Sequence, residues 1–202
     1  MPDTTVLTSL DGGVFTITLN RPEAYNAFNT ALLKDLAEAL KQAEKSKDAR
    51  AIVLTGNGKA FCAGQDLKEV KDFSNGFSFS ETVVNGYNPV IVKLATISKP
   101  VIAAINGAAA GAGFSLALAC DLRVMSASAK LSTAFIKIGL VPDSGASFFL
   151  PRLIGHSRAF ELMTLSDDIL PEHALSIGLV NRVVPADALM TEAMNIAKRY
   201  AE

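Results

Sequence analysis

The feature that most constrains this chain is a run of 21 residues without a charged side chain, residues 100–120. Such a run is long enough to cross a bilayer as a helix. It is rich in alanine rather than leucine or isoleucine, however, and residues that favour turns interrupt it: Asn106, Gly107, Gly111 and Gly113. The run therefore predicts a buried strand, a tight turn and a buried helix, and not a membrane span.

Composition excludes several classes of protein. Of the 202 residues, 50% are hydrophobic and 19% are charged, which excludes a disordered or fibrous chain. The formal net charge is -1, so no basic field favours nucleic acid or an anionic membrane as a partner. Cys62 and Cys120 are too few for a disulfide scaffold and too far apart for a metal-binding pair. With no signal peptide visible, we expect a cytoplasmic protein.

Periodicity predicts an α/β fold. Apolar residues alternate at Phe15, Ile17 and Leu19, which indicates a strand, and the Asp-Gly-Gly turn before it predicts a hairpin with residues 5–10. The pattern then becomes helical over residues 30–44. Further strands are predicted at 51–55, 101–105 and 122–125, with helices ending at about 97, starting near 113 and lying at the carboxyl end, and a surface loop at 73–80. Strands that alternate with helices favour substantial parallel pairing.

Two glycine-rich segments do not match nucleotide-binding motifs. Residues 56–59 lack the glycine and the Ser/Thr of a phosphate loop, and Leu116 replaces the third glycine of a dinucleotide fingerprint. Two turns of small residues remain, at 63–66 and 107–113, each before a predicted helix. If they converge, their backbone N–H groups could hold an oxyanion. The alternative is that the glycines only permit close packing of helix and sheet.

Four segments carry a resemblance to a known family. Residues 59–69 (KAFCAGQDLKE) resemble the first signature of the crotonase, or enoyl-CoA hydratase/isomerase, superfamily. Residues 99–107 (KPVIAAING), continuing to 121, resemble its second signature. Residues 21–29 (RPEAYNAFN) and 139–145 (GLVPDSG) match an early and a later segment. The resemblance runs in register from about residue 6 to 200.

The resemblance implies a spiral of ββα units and an acyl-CoA thioester as substrate. It also implies that the backbone N–H groups of Gln65 and Ala112 hold the thioester oxygen, and that no metal or cofactor is needed besides the coenzyme A of the substrate. The positions that the resemblance assigns to CoA or acyl contact are Ala24, Asn26, Ala63, Gly64, Asp66, Leu67, Gly111, Ser115, Phe135 and Pro142. Asp66 also has a structural interpretation, as an acid in the first turn of a helix.

Acidic residues separate the possible reactions. Hydratases of this family use two glutamates, and the matching positions here hold Ser115 and Phe135, neither of which transfers a proton as a carboxylate does. Asp143 remains, in the Pro-acid-x-Gly setting in which isomerases of the superfamily place a lone acid. From the residues alone, a helix N-cap is the favoured interpretation of such an acid. Burial would raise its pKa, whereas a cap role would lower it.

These observations favour an enoyl-CoA isomerase in which Asp143 moves a proton between two carbons. The alternatives are a ring-1,2-epoxyphenylacetyl-CoA isomerase, another hydratase-type reaction, or a catalytically silent subunit that binds acyl-CoA. We expect a single domain over residues 1–202, with a core at about 4–185 and the start of a C-terminal helical segment at 186–202. Family members usually continue further, through helices that cover the acyl site and build a trimer. The chain is therefore expected to be a truncated or short form, and a homotrimer or dimer of trimers is expected if that segment is present.

Overall fold

The computed structural model describes residues 4–69 and 78–202. The strands are β1 (Val6–Asp11), β2 (Val14–Leu19), β3 (Ala51–Gly56), β4 (Ala60–Cys62), β5 (Val101–Ile105), β6 (Ala108–Ala110), β7 (Leu122–Ser126), β8 (Leu131–Ser132) and β9 (Arg182–Val184). The helices are α1 (Thr30–Lys45), α2 (Phe79–Thr82), α3 (Asn88–Thr96), α4 (Ala112–Leu118), α5 (Ala146–Ile154), α6 (His156–Leu165), α7 (Pro171–Ser176) and α8 (Leu189–Ala201). A π-helical turn, Val83–Tyr87, joins α2 to α3, and a 3-10 turn, Phe135–Ile138, follows β8.

The strands form two sheets that the chain visits in alternation. The larger sheet has the order β1-β2-β3-β5-β7-β9, antiparallel at β1-β2 and parallel elsewhere. The smaller sheet is parallel and has the order β4-β6-β8. Each of three successive turns of chain therefore adds one strand to each sheet before a helical segment: β3 with β4, β5 with β6, and β7 with β8. This is the predicted spiral of ββα units.

The uncharged run folds as β5, β6 and α4, and these elements are almost entirely buried. Its glycines let backbones approach closely: a Cβ built on Gly107 would lie 2.1 Å from the carbonyl oxygen of Lys59, and one on Gly113 would lie 2.1 Å from that of Cys62. These glycines therefore permit the close approach of neighbouring backbone segments. Among the described residues, no helix combines the length and the apolar character that a bilayer crossing requires.

Two apolar cores hold the sheets in place. The larger core lies between the sheets and helices α1 and α3 to α7. The second lies on the opposite face of the larger sheet, where Val53, Ile102 and Val124 pack against Leu189 and Ile196 of α8. This amphipathic helix therefore covers a sheet face that would otherwise be exposed.

Most of the predicted elements are confirmed. Helix α1 begins after Asn29, whose side chain accepts a hydrogen bond from the Leu32 N–H at 2.8 Å, as a capping residue does. Residues 73–77 of the predicted surface loop lie outside the described residues. Phe79 and Ser80 already belong to α2, so the prediction of a loop as far as residue 80 is wrong.

Candidate active site

A cavity of about 300 Å³ lies where the strands of the smaller sheet end. Each of the three strands is followed by a turn that lines it: Gly64 and Gln65 follow β4, Gly111 and Ala112 follow β6, and Phe135 follows β8. The carboxyl ends of parallel strands meet at one edge of a sheet, which is where open α/β folds bind ligands. The residues that line the cavity are Ala63, Gly64, Gln65, Leu67, Tyr87, Gly111, Ala112, Ala134, Phe135, Lys137, Ile138, Leu140 and Asp143.

The two turns of small residues converge at this cavity. Gly64 has a φ of +89°, and a Cβ built on it would lie 2.7 Å from the Ala110 carbonyl oxygen and 3.4 Å from the Ala112 nitrogen. Glycine is therefore required there, both for its backbone conformation and for the close approach. The second predicted helix begins at Ala112. After the first turn of small residues, the Glu69 N–H donates to the Asp66 carbonyl at 3.0 Å and forms a further turn. The chain that follows, residues 70–77, lies outside the described residues, so the helix predicted there stays a prediction.

The backbone N–H groups of Gln65 and Ala112 are available to a ligand. The Phe28 N–H donates to the Gly64 carbonyl at 2.6 Å, and the Phe28 carbonyl accepts from the Asp66 N–H at 2.9 Å. This pairing leaves the Gln65 N–H on the other side of the chain. Ala112 is the first residue of α4, so its N–H has no acceptor within the helix. Neither group donates to an atom of the described residues. Together they form a pair of donors from which an oxyanion could accept hydrogen bonds.

Asp143 faces the same cavity from the loop before α5. Ser144 donates from its hydroxyl to Oδ1 of Asp143 at 2.9 Å, and Ser115 donates to the backbone carbonyl of Asp143 at 3.1 Å. Burial raises the pKa of the Asp143 carboxyl, and the hydrogen bond from Ser144 opposes that shift. A carboxylate with a raised pKa in an apolar cavity is suited to accept and return a proton.

The interpretation of Asp143 as a helix N-cap is wrong. Helix α5 begins at Ala146 after Gly145, and no side chain caps it. Asp143 contributes only its backbone carbonyl, which accepts a hydrogen bond from the Ala146 N–H at 2.9 Å. Ser144 and Gly145 both have positive φ, and this turn directs the chain away from capping geometry. The Asp143 carboxylate therefore does not cap the helix and lines the cavity instead.

Tyr87 is a polar residue of the site whose role the sequence did not indicate. Its ring is buried, and its centroid lies 5.6 Å from that of Phe28. Its hydroxyl donates a hydrogen bond to Oε1 of Gln65. Burial, together with the nearby charge of Asp143, raises the pKa of the phenol above its usual range, so it stays protonated. A tyrosine 22 positions from its partner offers no spacing signal that would reveal this contact.

The structure places the positions assigned to substrate contact in two groups. Five of them line the cavity: Ala63, Gly64, Leu67, Gly111 and Phe135. The other five lie off its wall as far as the described residues define it: Ala24, Asn26, Asp66, Ser115 and Pro142. For three of the second group, the hydrogen bonds explain why.

Asn26, Ser115 and Asp66 hold the backbone of the site. The amide nitrogen of Asn26 donates to the carbonyls of Asn57 and Ala60 at 2.9 and 2.8 Å, and the side chain is fully buried. The hydroxyl of Ser115 lies between two backbone carbonyls, of which that of Gly111 is 3.3 Å away. The side chains of Asn26 and Ser115 therefore bind backbone groups of the protein and do not line the cavity, contrary to the expectation that they contact a substrate directly.

Asp66 forms a buried ion pair. One carboxylate oxygen accepts from Arg21 at 2.9 Å and the other from the Lys68 N–H at 3.1 Å. Burial opposes ionisation of this carboxyl, but Arg21 and the Lys68 N–H outweigh it and hold the pKa below its usual range. Asp66 thus ties the segment after β4 to the segment after β2. Its interpretation as an acid in the first turn of a helix stays a prediction, because residues 70–77 lie outside the described part of the chain.

The residues that line the cavity include one carboxylate, that of Asp143, and one basic side chain, that of Lys137. Elsewhere in the described ranges, 4–69 and 78–202, no cluster of three His, Cys, Asp or Glu side chains could hold a metal ion. The cavity thus brings one carboxylate beside two backbone N–H groups.

Comparison with known proteins agrees with this geometry. The profile of the family described as "Enoyl-CoA hydratase/isomerase" matches residues 9–202. The chain belongs to the enoyl-CoA hydratase/isomerase family. Among curated relatives of this family, the 1,2-epoxyphenylacetyl-CoA isomerase of Escherichia coli (strain K12) is 42% identical over 198 residues, which are 97% of this chain and 76% of that protein.

Solved structures of the enoyl-CoA hydratase/isomerase family share the fold. An enoyl-CoA hydratase from Bacillus anthracis superposes with a TM-score of 0.91 at 37% identity, over 98% of this chain and 76% of that one. A monofunctional enoyl-CoA isomerase from Mycobacterium smegmatis superposes with a TM-score of 0.83 at 36% identity, over 98% and 85%. Because similar proteins carry both names, overall similarity does not separate hydratase from isomerase, and the side chains of the site must do so.

Proposed function

We propose that this protein is an acyl-CoA isomerase that converts 3-enoyl-CoA into trans-2-enoyl-CoA. The observation that carries the proposal is the pairing of one carboxylate, Asp143, with the two available N–H groups of Gln65 and Ala112 in a cavity with mainly apolar walls. A single carboxylate can take a proton from one carbon and return it to another. The two backbone donors can stabilise the negative charge in between.

In the proposed mechanism, the thioester oxygen accepts hydrogen bonds from the N–H groups of Gln65 and Ala112. Asp143 removes a proton from C2, the electrons of that C–H bond pass into a dienolate, and the oxygen carries the charge. The protonated Asp143 then delivers the same proton to C4, and the double bond closes between C2 and C3. Loss of one oxyanion donor typically costs about 2.7–4 kcal/mol of transition-state stabilisation. No metal or cofactor enters these steps.

The side chains disfavour the hydratase alternative. Addition of water across a double bond needs one group to activate water and a second to deliver a proton to carbon. Phe135, at one of the two glutamate positions, forms an apolar wall of the cavity. Ser115, at the other, is turned toward the carbonyls of Gly111 and Asp143. Asp143 alone serves a proton shuttle better than a two-acid reaction.

A second candidate is isomerisation of a ring substrate such as ring-1,2-epoxyphenylacetyl-CoA. It is favoured by the 42% identity to a 1,2-epoxyphenylacetyl-CoA isomerase. The same Asp143 and the same donor pair would serve that reaction. A carboxylate and an oxyanion site do not by themselves distinguish a linear acyl chain from a ring.

We further propose that the protein is cytoplasmic, and that it assembles as a homotrimer or a dimer of trimers if the further C-terminal helical segment is present. Exposed apolar side chains at Ile136, Ile138, Val141 and Phe148 are in keeping with assembly. The two free cysteines, both buried, are in keeping with a reducing compartment.

The first test is to mix the purified protein with 3-hexenoyl-CoA and follow formation of the conjugated thioester by its ultraviolet absorbance. We expect conversion by the unaltered protein and a loss of about 100- to 10,000-fold in Asp143→Asn, the usual contribution of a proton-transferring side chain. Asp187→Asn, an exposed acid remote from the cavity lining, is the matched control. Undiminished conversion by Asp143→Asn would refute the assignment of the base.

Other substrates separate the alternatives. Conversion of the ring epoxide thioester without conversion of 3-hexenoyl-CoA would favour the ring isomerase. Hydration of crotonyl-CoA at a rate above that of isomerisation would favour a hydratase. Tight binding of acyl-CoA with no conversion of any of these would indicate the silent binding subunit.

A further inference from the structure

Tyr87 is held in place by packing that leaves its hydroxyl little freedom. It ends the π-helical turn Val83–Tyr87, and a turn with this wider spacing rotates the following side chains relative to a regular helix. The turn packs closely against α1, as shown by the 3.1 Å that would separate a Cβ built on Gly86 from Cδ1 of Leu33. The Tyr87 ring is only 4% exposed and packs beside Phe28. The hydroxyl is therefore a fixed donor.

The hydroxyl of Tyr87 restrains Gln65 through its side chain. It donates to Oε1 of Gln65, while Nε2 of the same amide lies 3.4 Å from the carbonyls of Phe28 and Asp66. The amide is thus held at both of its polar atoms. Since burial keeps the phenol protonated, the hydroxyl remains a donor across the ordinary pH range.

A restrained side chain fixes the backbone that bears it. The peptide between Gly64 and Gln65 carries one of the two N–H donors, and Gly64 before it has a φ of +89° that only glycine adopts readily. The carbonyl of this peptide accepts a hydrogen bond from the Phe28 N–H at 2.6 Å, so the direction of its N–H depends on that bond together with what holds the side chain of Gln65. Preorganised donors stabilise charge only when they already point at the oxyanion.

We propose that Tyr87 is a positioning residue that acts through the side chain of Gln65 and directs the Gln65 N–H toward the thioester oxygen. The inference rests on the proposed function, because it assumes that an acyl-CoA thioester binds in this cavity. Tyr87 also lines the cavity itself. A direct contact of its hydroxyl with the substrate is therefore the rival that the experiment must separate.

The test compares Tyr87→Phe, Gln65→Met and the double variant. Tyr87→Phe keeps the ring and removes the donor, and Gln65→Met keeps the length of the side chain and removes the acceptor. With 3-hexenoyl-CoA we expect each single variant to lose about tenfold in kcat with little change in KM, the size of one hydrogen bond expressed as a rate. The double variant should be no slower than either single one. Tyr200→Phe, which removes an exposed hydroxyl on α8, is the control.

A second readout does not depend on turnover. Infrared difference spectra of bound hexanoyl-CoA with an isotope-labelled carbonyl report how strongly the donors polarise the thioester. We expect a downward shift of the carbonyl stretch in the unaltered protein and a smaller shift in both single variants. If the unaltered protein shows the shift, both single variants reduce it, and 3-hexenoyl-CoA is still not isomerised, the proposed reaction fails while the inference about Tyr87 stands.

Three outcomes would overturn the inference. Losses that multiply in the double variant would show that Tyr87 acts independently of Gln65, as a direct contact would. An unchanged kcat and an unchanged carbonyl shift in Tyr87→Phe would leave the hydroxyl a packing role only. Absence of any carbonyl shift in the unaltered protein would show that the Gln65 N–H does not meet the thioester.

Discussion

At the scale of single residues, the chemistry of the site depends on how one carboxylate is held. Asp143 is anchored at two points, by Ser115 at its backbone carbonyl and by Ser144 at Oδ1. Ser144 is itself buried and has a φ of +50°, a conformation that serine adopts only when its surroundings impose it. The carboxylate is thus oriented by a locally strained turn.

The first prediction concerns pH. The hydroxyl of Ser144 stabilises the ionised form of Asp143, so Ser144→Ala should raise a carboxyl pKa that burial has already raised. A base works only when ionised, and activity is lost as pH falls through that pKa. The acidic limb of the profile of kcat/KM against pH should therefore move to higher pH in Ser144→Ala, with a smaller effect on the plateau.

The measurement is the profile of isomerisation for both proteins, with Ser157→Ala, an exposed serine on α6, as the control. An acidic limb that stays in place would mean that the hydroxyl does not stabilise the charged carboxylate.

The sequence indicated the placement of backbone groups better than the contacts of side chains. Two turns of small residues were predicted and do converge at the cavity, and the family resemblance pointed to Gln65 and Ala112 within them. Asn26 and Asp66 stand at motif positions, but a motif does not record which way a side chain points. One satisfies backbone carbonyls and the other pairs with Arg21. Both arrangements depend on segments that are distant in sequence.

At the scale of elements, local periodicity was sufficient for the regular ones. The alternation in β2 and the helical spacing in α1 are visible because burial on one face repeats along the chain. The π-helical turn that places Tyr87 was not predicted, because five residues change neither periodicity nor composition. Its role became visible only when Gln65, from another element, was brought beside it.

The second prediction tests the close approach of α4 to β4. Gly113 lies inside α4, where alanine is the better helix former, so helix propensity alone would make Gly113→Ala stabilising. A Cβ there would, however, lie 2.1 Å from the carbonyl oxygen of Cys62. We expect a loss of at least about 1–3 kcal/mol in free energy of unfolding, as for other overpacked sites.

The measurement for Gly113→Ala is urea denaturation followed by circular dichroism. Ser157→Ala, at an exposed position on α6, is the control, and it should change the free energy of unfolding by about 0.5 kcal/mol or less. Gly113→Ala with unchanged or increased stability would contradict the tight packing of α4 on β4.

At the scale of the whole molecule, α8 completes the larger sheet. The sequence predicted a helix with one apolar face, formed by residues such as Leu189, Ala193 and Ile196. It could not predict what that face covers, since the partners come from four strands spread along the chain. The end of α8 is also tied down, because Arg50 donates to the carbonyl of Ala201 at 2.9 Å.

The third prediction follows from this cover. Leu189 is 2% exposed in the second core, so Leu189→Ala should lower the free energy of unfolding by about 2–5 kcal/mol. Met190, its neighbour on the exposed side of α8, is the matched position, and Met190→Ala should change stability by about 0.5 kcal/mol or less. Denaturant titration of both variants measures the two changes in free energy of unfolding. Equal effects at the two positions would argue against α8 as a structural part of the sheet.

The spiral has a consequence for how such proteins change over generations. The two N–H donors follow neighbouring parallel strands, β4 and β6, so the ladder between these strands fixes their separation. The backbone thus sets this separation, whereas the side chain of Gln65 acts on the direction of one N–H. Phe135 and Asp143, which in the proposed function decide the fate of a bound thioester, follow β8 on the next turn of the spiral. Exchange of side chains on the turn after β8 can therefore change the reaction, while the backbone N–H donors after β4 and β6 keep their place for the thioester oxygen.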